Sequence, residues 1–309
     1  MTFVLGCLLG VFLGVTGSLV FSILPDESGP PENVEWSVAD AEALTDQEFS
    51  VVGETRGIVM LGTDDGVYEV SPNGTALWGL EVNTGVDGCY RASEKKVAFW
   101  VKSKGFYVVD RDDGELMWSL EDEYLSSAAP LDGSTAALIG TSDGAVFEAH
   151  YDGSTDGYWS FQRASGSRER DDDRVYDVDT YDVSSVVARD DGFLATSSSF
   201  DLVVEVNNDV VEWSWGSFMV DQPRSLQVLE DGDLLLCDSG NYRVIEVDKD
   251  TGITWEAVFD TRPIGAERLW TGLIMVVDSD GCNAVNYDND VVWTVTAGDC
   301  RSARWYYGG

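Results

Sequence analysis

The sequence predicts an all-β fold, a six-bladed β-propeller, and three observations carry that expectation. Six tryptophans, Trp78, Trp118, Trp159, Trp213, Trp255 and Trp293, recur at spacings of 40, 41, 54, 42 and 38 residues. Each closes the same programme of apolar run, turn, second strand, turn and tryptophan strand. The segment CRSARWYY, residues 300–307, follows the last tryptophan strand without a repeat of its own.

Taken in chain order, the first element is an apolar run. Residues 2–24, TFVLGCLLGVFLGVTGSLVFSIL, carry no charge and are long enough to span a bilayer as a helix. The basic n-region and short core of a cleaved signal peptide are missing, so residues 1–24 are expected to be an uncleaved transmembrane anchor. Gly6, Gly10 and Gly14 recur at the spacing that lets two such helices pack closely, which would make an oligomer. VLGC faintly resembles a lipobox, but Cys7 comes early for one. Residues 25–33, PDESGPPEN, read as an acidic, proline-bearing linker, and residues 34–309 as the propeller. The first basic residue is Arg56, so the positive-inside rule has little to count. The expectation is a short cytoplasmic N-terminus and an extracellular propeller, with the sequon Asn73-Gly-Thr75 in a turn.

The repeats follow. Their apolar runs are IVMLG, VAFWV, AALIG, FLATS, LLLCD and LIMVV; second strands include VYEV, FYVVD, VFEAH, LVVEV and RVIEV. The tryptophan strands are ALWGL, LMWSL, GYWSF, VEWSW, ITWEA and VVWTV. Short runs of this kind, bounded by Asp, Asn and Gly, are strands joined by tight hairpins. About four strands in forty residues is the signature of a propeller blade. One blade cannot bury its own faces, so neighbours must stack and the ring must close. CRSARWYY is the expected closing element, an innermost strand completing the first blade at 56–80. Trp36 in VEWSV echoes VEWSW at 211–215, which makes a seventh, partial blade the runner-up. The longest interval holds RASGSRERDDDR, residues 163–174, a polar insertion read as a surface loop.

Composition limits the function classes. Fifty-six acidic residues against 19 basic ones give a formal net charge of -37. With 44% hydrophobic residues and 11 tryptophans the chain has a real core, so the charge belongs to a carboxylate-rich surface. Such a surface stays hydrated where high salt screens its self-repulsion, the composition of a haloarchaeal protein. No basic face could neutralise phosphates, which argues against nucleic acid as a partner. No cofactor motif is present, and the five cysteines have no metal spacing. Cys89 and Cys300 fall at roughly equivalent repeat positions; they are either a disulfide in an oxidising exterior or free, half-buried thiols. The turns DRDDG, 110–114, and DKDTG, 248–252, space carboxylates as a calcium site does, but hairpin chemistry accounts for Asp and Gly there, so no metal is expected.

The stretch QPRSLQVLEDGDLLLCDSGNYRVIEVDKDTGITWEA, 222–257, resembles the blade repeat of the arylsulfotransferase-like propellers of haloarchaea, whose repeats share a pattern with PQQ-type and NHL-type propellers. VYDVDTYDVSSVVARDDGFLATSSS, 175–199, resembles the family's histidine-bearing blade start. The resemblance implies a histidine nucleophile that accepts a sulfuryl group. This chain departs from the pattern, with Tyr181 or Tyr176 where the histidine would fall. A tyrosine, with a pKa near 10, needs strong activation to do that work. The sole histidine, His150, lies in the second strand of the third repeat.

Arg91, Arg224, Arg268 and Arg304 stand 13, 11, 13 and 11 residues after their blade tryptophans, near the expected innermost strands. Guanidinium groups in a dry channel bind an anion in a forked geometry; the alternative is that each braces two blades through an aspartate. Taken together, the sequence predicts a membrane-anchored, non-catalytic binding or interaction module with an anionic small molecule or a protein as partner. A divergent sulfotransferase-like enzyme and a structural component of a surface or virion assembly are the alternatives.

Overall fold

Six antiparallel sheets stand around a central channel, and the innermost strand of each touches that of the next to complete a ring. A computed structural model of the protein describes residues 34–46, 49–53, 57–132, 135–161, 182–189, 192–216 and 218–307. Chain order opens with β1 (Trp36–Val38), α1 (Ala41–Asp46) and β2 (Ser50–Gly53). Blade 1 continues with β3 (Gly57–Gly62), β4 (Gly66–Val70) and β5 (Ala76–Val82). Blade 2 comprises β6 (Gly88–Ser93), β7 (Lys96–Val101), β8 (Gly105–Asp110) and β9 (Leu116–Glu121). Blade 3 comprises β10 (Leu125–Asp132), β11 (Ala136–Thr141), β12 (Ala145–His150) and β13 (Thr155–Ser160). Blade 4 comprises β14 (Ser185–Arg189), β15 (Gly192–Ser197), β16 (Leu202–Asn207) and β17 (Val210–Gly216). Blade 5 comprises β18 (Pro223–Val228), β19 (Leu234–Asp238), β20 (Arg243–Asp248) and β21 (Gly252–Val258). Blade 6 comprises β22 (Gly265–Arg268), β23 (Ile274–Asp278), β24 (Gly281–Val285) and β25 (Val291–Thr296), and the chain ends on β26 (Ser302–Tyr307).

The apolar runs fill the second strand of each blade because both of its faces are covered by neighbouring blades. β11, β19 and β23 are buried along their whole length. The core is correspondingly divided into six clusters, one at each junction between blades. Each Val, Leu or Phe buried there contributes about 1.5–3 kcal/mol relative to exposure.

Two of the six recurring tryptophans, and Trp36 on β1, send an indole N–H across a junction. Trp78 of blade 1 donates from Nε1 to the Arg111 carbonyl of blade 2 at 2.8 Å, and Trp255 of blade 5 donates to the Tyr287 carbonyl of blade 6 at 3.2 Å. Trp36 does the same to Gly114, at 3.0 Å. A buried indole N–H needs such a partner, and the outer turn of the next blade supplies it.

The ring closes through both ends of the chain. β26 pairs with β3, Arg304 opposite Met60, so the last strand becomes the innermost strand of blade 1. The seventh partial blade is not formed. β1 instead adds a fifth, outermost strand to blade 1, with Trp36 opposite Val82. β2 adds a fifth strand to blade 6, with Gly53 opposite Trp293. α1, capped by Asp40 Oδ1, which accepts from the N–H groups of Glu42 and Ala43 at 2.9 Å, joins the two. The junction between the first and last blades is therefore tied from inside and outside.

Among the described residues no helix is long and apolar enough to cross a membrane. The expected anchor with Gly6, Gly10 and Gly14, the linker, the insertion at 163–174, Tyr176 and Tyr181 all lie outside the described residues.

Candidate functional site

The innermost strands leave a cavity of about 650 Å³ along the axis. Side chains on these strands bond the backbone of the next blade. Ser127 Oγ donates to Val183 O at 3.0 Å, Ser184 Oγ to Pro223 O at 2.7 Å, and Ser225 Oγ to Ala266 O at 3.3 Å. Glu267 Oε2 accepts from the Trp305 N–H at 3.2 Å, and Tyr306 OH accepts from the Arg91 N–H at 2.7 Å. These bonds fix the channel wall at five of the six junctions.

All four expected arginines stand on innermost strands, but they do two different things. Arg91, 13 residues after its tryptophan, donates from Nε to Glu69 Oε1 at 2.7 Å. Glu69 lies on β4, with its side chain 1% exposed, and its second oxygen accepts from Arg111 at 2.7 Å. Burial pushes the Glu69 carboxyl up, and the two guanidinium groups more than reverse that, holding it below the ordinary carboxylate range. Arg268, also at 13, repeats the pattern: it bonds Tyr287 OH and lies 3.5 Å from Glu246 on β20. Tyr287 OH in turn donates to Glu246 Oε1 at 2.6 Å. Both arginines brace adjacent blades, with a glutamate of the third strand as partner rather than an aspartate.

Arg224 and Arg304, at 11, line the cavity and make no ion pair among the described residues. Arg301 also lines it but is paired to Asp64 and, at 3.0 Å, to Asp87. Desolvation, then the charge of Arg262, pushes the Arg224 guanidinium down from its ordinary value. Burial pushes the Glu267 carboxyl up, against the charge of Arg304 and the Trp305 N–H. The facing wall is different in kind: Ser127, Ala128 and Ala129 of blade 3 and Ser185, Val186 and Ala188 of blade 4 carry no charge. The charged lining is thus Arg224 of blade 5, Arg301 and Arg304 at blade 1 and Arg91 and Asp87 at blade 2, whereas the lining from blades 3, 4 and 6 is neutral.

The remaining sequence candidates fall elsewhere. His150 sits on β12 beside Glu148 and Asp156 of its own blade, at 3.7 and 3.6 Å, and does not line the cavity. Cys89 and Cys300 form no disulfide; both are free, buried thiols. Cys89 Sγ lies 3.8 Å from Ser302 Oγ, and Cys300 Sγ donates to Ser302 O at 3.5 Å. The turns considered for calcium hold their own bonds: Asp248 Oδ1 accepts from the Thr251 N–H and hydroxyl at 2.6 and 2.7 Å. Their basic residues reach the preceding blade. Lys249 bonds Glu205 and lies 5.7 Å from the Trp213 ring centre, as Arg111 lies 5.4 Å from that of Trp78. No group of acidic, histidine or cysteine side chains among the described residues is arranged to hold a metal ion.

Asp182 and Arg262 were not singled out in the sequence. Asp182 accepts from Ser199 Oγ at 2.7 Å and the Ser199 N–H at 2.9 Å, and from the hydroxyls of Ser197 and Ser198. Burial pushes its carboxyl up, and these bonds reverse that and hold it below the usual range. The serine run SSS at 197–199 was the available signal.

No family model matches the sequence, and no curated protein matches it. Solved structures do match in fold. One is a protein of unknown function from Bacteroides caccae, with a TM-score of 0.64 at 12% identity, covering 81% of this chain and 99% of that one. Another is the WD40 β-propeller domain of Doa1, with a TM-score of 0.53 at 15% identity, covering 77% of this chain and 74% of that one. At these identities the likeness is one of fold: the chain is similar to β-propellers.

Proposed function

We propose that this protein is a non-catalytic binding module whose channel takes a small anion through Arg224 and Arg304. One observation carries the reading. In a chain with 56 acidic and 19 basic residues, two arginines facing a cavity make no ion pair among the described residues. A cation left unpaired amid such an excess of carboxylates is poised for an anion from solution, and guanidinium suits carboxylate or sulfate. In this reading residues 2–24 tether the propeller to a membrane, with the module on the extracellular side of a cell that lives in high salt. Calorimetric titration of the full-length chain with sulfate and with benzoate, in multimolar potassium chloride, tests it. Saturable heat with either anion supports the reading; no heat with either removes it.

The enzyme alternative, a sulfuryl transfer through Tyr181 or Tyr176, has one observation in its favour: Asp182, next in sequence to Tyr181, lies close enough for its charge to act on Arg224. Incubation with an aryl sulfate tests it. A sulfated tyrosine found by mass spectrometry, absent from Tyr181→Phe and Tyr176→Phe chains, would establish it.

A further inference from the structure

The hairpin between β4 and β5 of blade 1 turns through Ser71, Pro72, Asn73, Gly74 and Thr75. Ser71 N–H donates to Thr75 O at 2.9 Å and Gly74 N–H to Ser71 O at 3.0 Å. Gly74 has a φ of 86°, and a Cβ there would meet the Phe49 carbonyl oxygen at 2.6 Å, so the position between the asparagine and the threonine requires glycine.

Two features set this turn apart. The first is chemical availability. Asn73 and Thr75 are both exposed. Asn73 Oδ1 accepts from the Ser71 hydroxyl and, at 3.4 Å, from the Thr75 N–H. Its Nδ2 makes no hydrogen bond among the described residues, and neither does the Thr75 hydroxyl. The second feature is charge. The equivalent turn of every other blade carries at least one aspartate: Asp112, Asp152, Asp209, Asp250 and Asp288. In a chain of net charge -37, the blade 1 turn alone among these six has no ionised side chain to hold water.

An asparagine amide and a hydroxyl two residues on, with no proline between them, are what an N-glycosylation acceptor presents on a surface loop. We propose that Asn73 is an N-glycosylation site, and that a hydroxyl-rich oligosaccharide hydrates this turn where the other blades use carboxylates. The inference rests on the extracellular placement in the reading above. In the transfer, Asn73 Nδ2 attacks the anomeric carbon of an oligosaccharide carried on a lipid phosphate or pyrophosphate. A C–N bond forms, the C–O bond to phosphate breaks, the lipid phosphate leaves with the electron pair, and one amide proton passes to a base of the transferase. Asn73 does not line the channel, so the glycan leaves the anion site open.

The full-length chain is isolated from its own host cells, and the tryptic peptide 57–91, which lies between Arg56 and Arg91, is weighed. Its mass is expected to exceed that of the bare peptide by a whole number of sugar residues, with fragment ions placing them on Asn73. Thr75→Val should remove the increment, and Thr75→Ser, which keeps the hydroxyl and guards against a folding defect, should retain it. In parallel, intact cells are treated with a sulfonated, amine-reactive biotin ester that does not cross a membrane, and labelling of the exposed Lys102 and Lys104 is read. Labelled lysines with a bare peptide 57–91 overturn the glycosylation inference alone. An increment that survives Thr75→Val overturns it too. A bare peptide with unlabelled lysines overturns the extracellular placement as well.

Discussion

Arg91 on the innermost strand of blade 2 donates to Glu69 on the third strand of blade 1 at 2.7 Å, and the glutamate side chain is 1% exposed. Arg111 holds its other oxygen at 2.7 Å. Replacing Glu69 by Gln leaves two guanidinium groups facing a neutral amide. The expected cost is about 3 kcal/mol, the low end for breaking a buried pair, because the arginines stay about a quarter exposed. Denaturant-induced unfolding measures it.

The same carboxylate sets part of the acid limit of stability. Its folded pKa lies below the ordinary value of 4.5, so its stabilisation is complete above that value and is lost as pH falls through the folded one. Wild-type stability should therefore fall more steeply below pH 4.5 than that of Glu69→Gln. Parallel unfolding curves from pH 5 to pH 3 would show that Glu69 carries no such coupling.

Glu267 behaves in the opposite sense. Burial raises its pKa, so its carboxyl becomes neutral above the ordinary glutamate range as pH falls. The groups that face it are Arg304 and Tyr306 on β26 and Cys282 on β24. Neutralising Glu267 removes a negative charge near Arg304, so anion affinity should rise as pH falls towards the ordinary glutamate range. Glu267→Gln should bind more tightly at pH 7 and lose most of that pH dependence in calorimetric titration.

The closing strand offers a further test. A chain ending at Asp299 lacks β26, and blade 1 loses its innermost strand. Its Cys89 cluster with Met60 and Val86 would then open to the channel. The truncated chain should show no cooperative thermal transition where the full chain melts. Gly57→Val is the milder probe, because a Cβ at Gly57 would run into the Trp305 ring; it should lower the melting temperature by several degrees.

Cys89 and Cys300 have thiols pushed up to about 12 by burial, and those of Cys237 and Cys282 are also raised. Thiolate is the reactive form. In a Cys7→Ser chain no thiol should react with a disulfide reagent at pH 8 until the protein unfolds, after which four should. Fewer than four in the unfolded, unreduced chain would reveal a disulfide.

The repeat was legible in the tryptophans because each closes a blade, and two of them, Trp78 and Trp255, bond the turn of a neighbour. β26 was legible because CRSARWYY followed the last repeat without a blade of its own. β1 and β2 were not, since strands of three and four residues at an outer edge carry no periodic signal. The echo of VEWSV at Trp36 reflects a real likeness, a strand on the outer rim, but not a blade. The arginine spacings foretold one pair only: Arg91 and Arg268 hold equivalent places in their strands. Thirteen residues reach the glutamates of YEV and IEV, whereas the two arginines at eleven share a spacing but not a register, since Gln227 and not Arg224 stands where Arg304 does. The glutamates at 69, 205 and 246, each in the same place within its strand, were the overlooked cue to the braces. Arg262 lies in a loop outside the repeat, where spacing says nothing.

The two arginine classes are separated most sharply by melting each of four single alanine variants, Arg91, Arg268, Arg224 and Arg304, with and without saturating sulfate in multimolar potassium chloride. The geometry predicts that Arg91→Ala and Arg268→Ala melt lower but keep the sulfate-induced stabilisation, roughly 2.7 kcal/mol at 100 times the dissociation constant. Arg224→Ala and Arg304→Ala should melt near wild type and lose it. A sulfate response that survives in both Arg224→Ala and Arg304→Ala would contradict the assignment of the channel as the binding site.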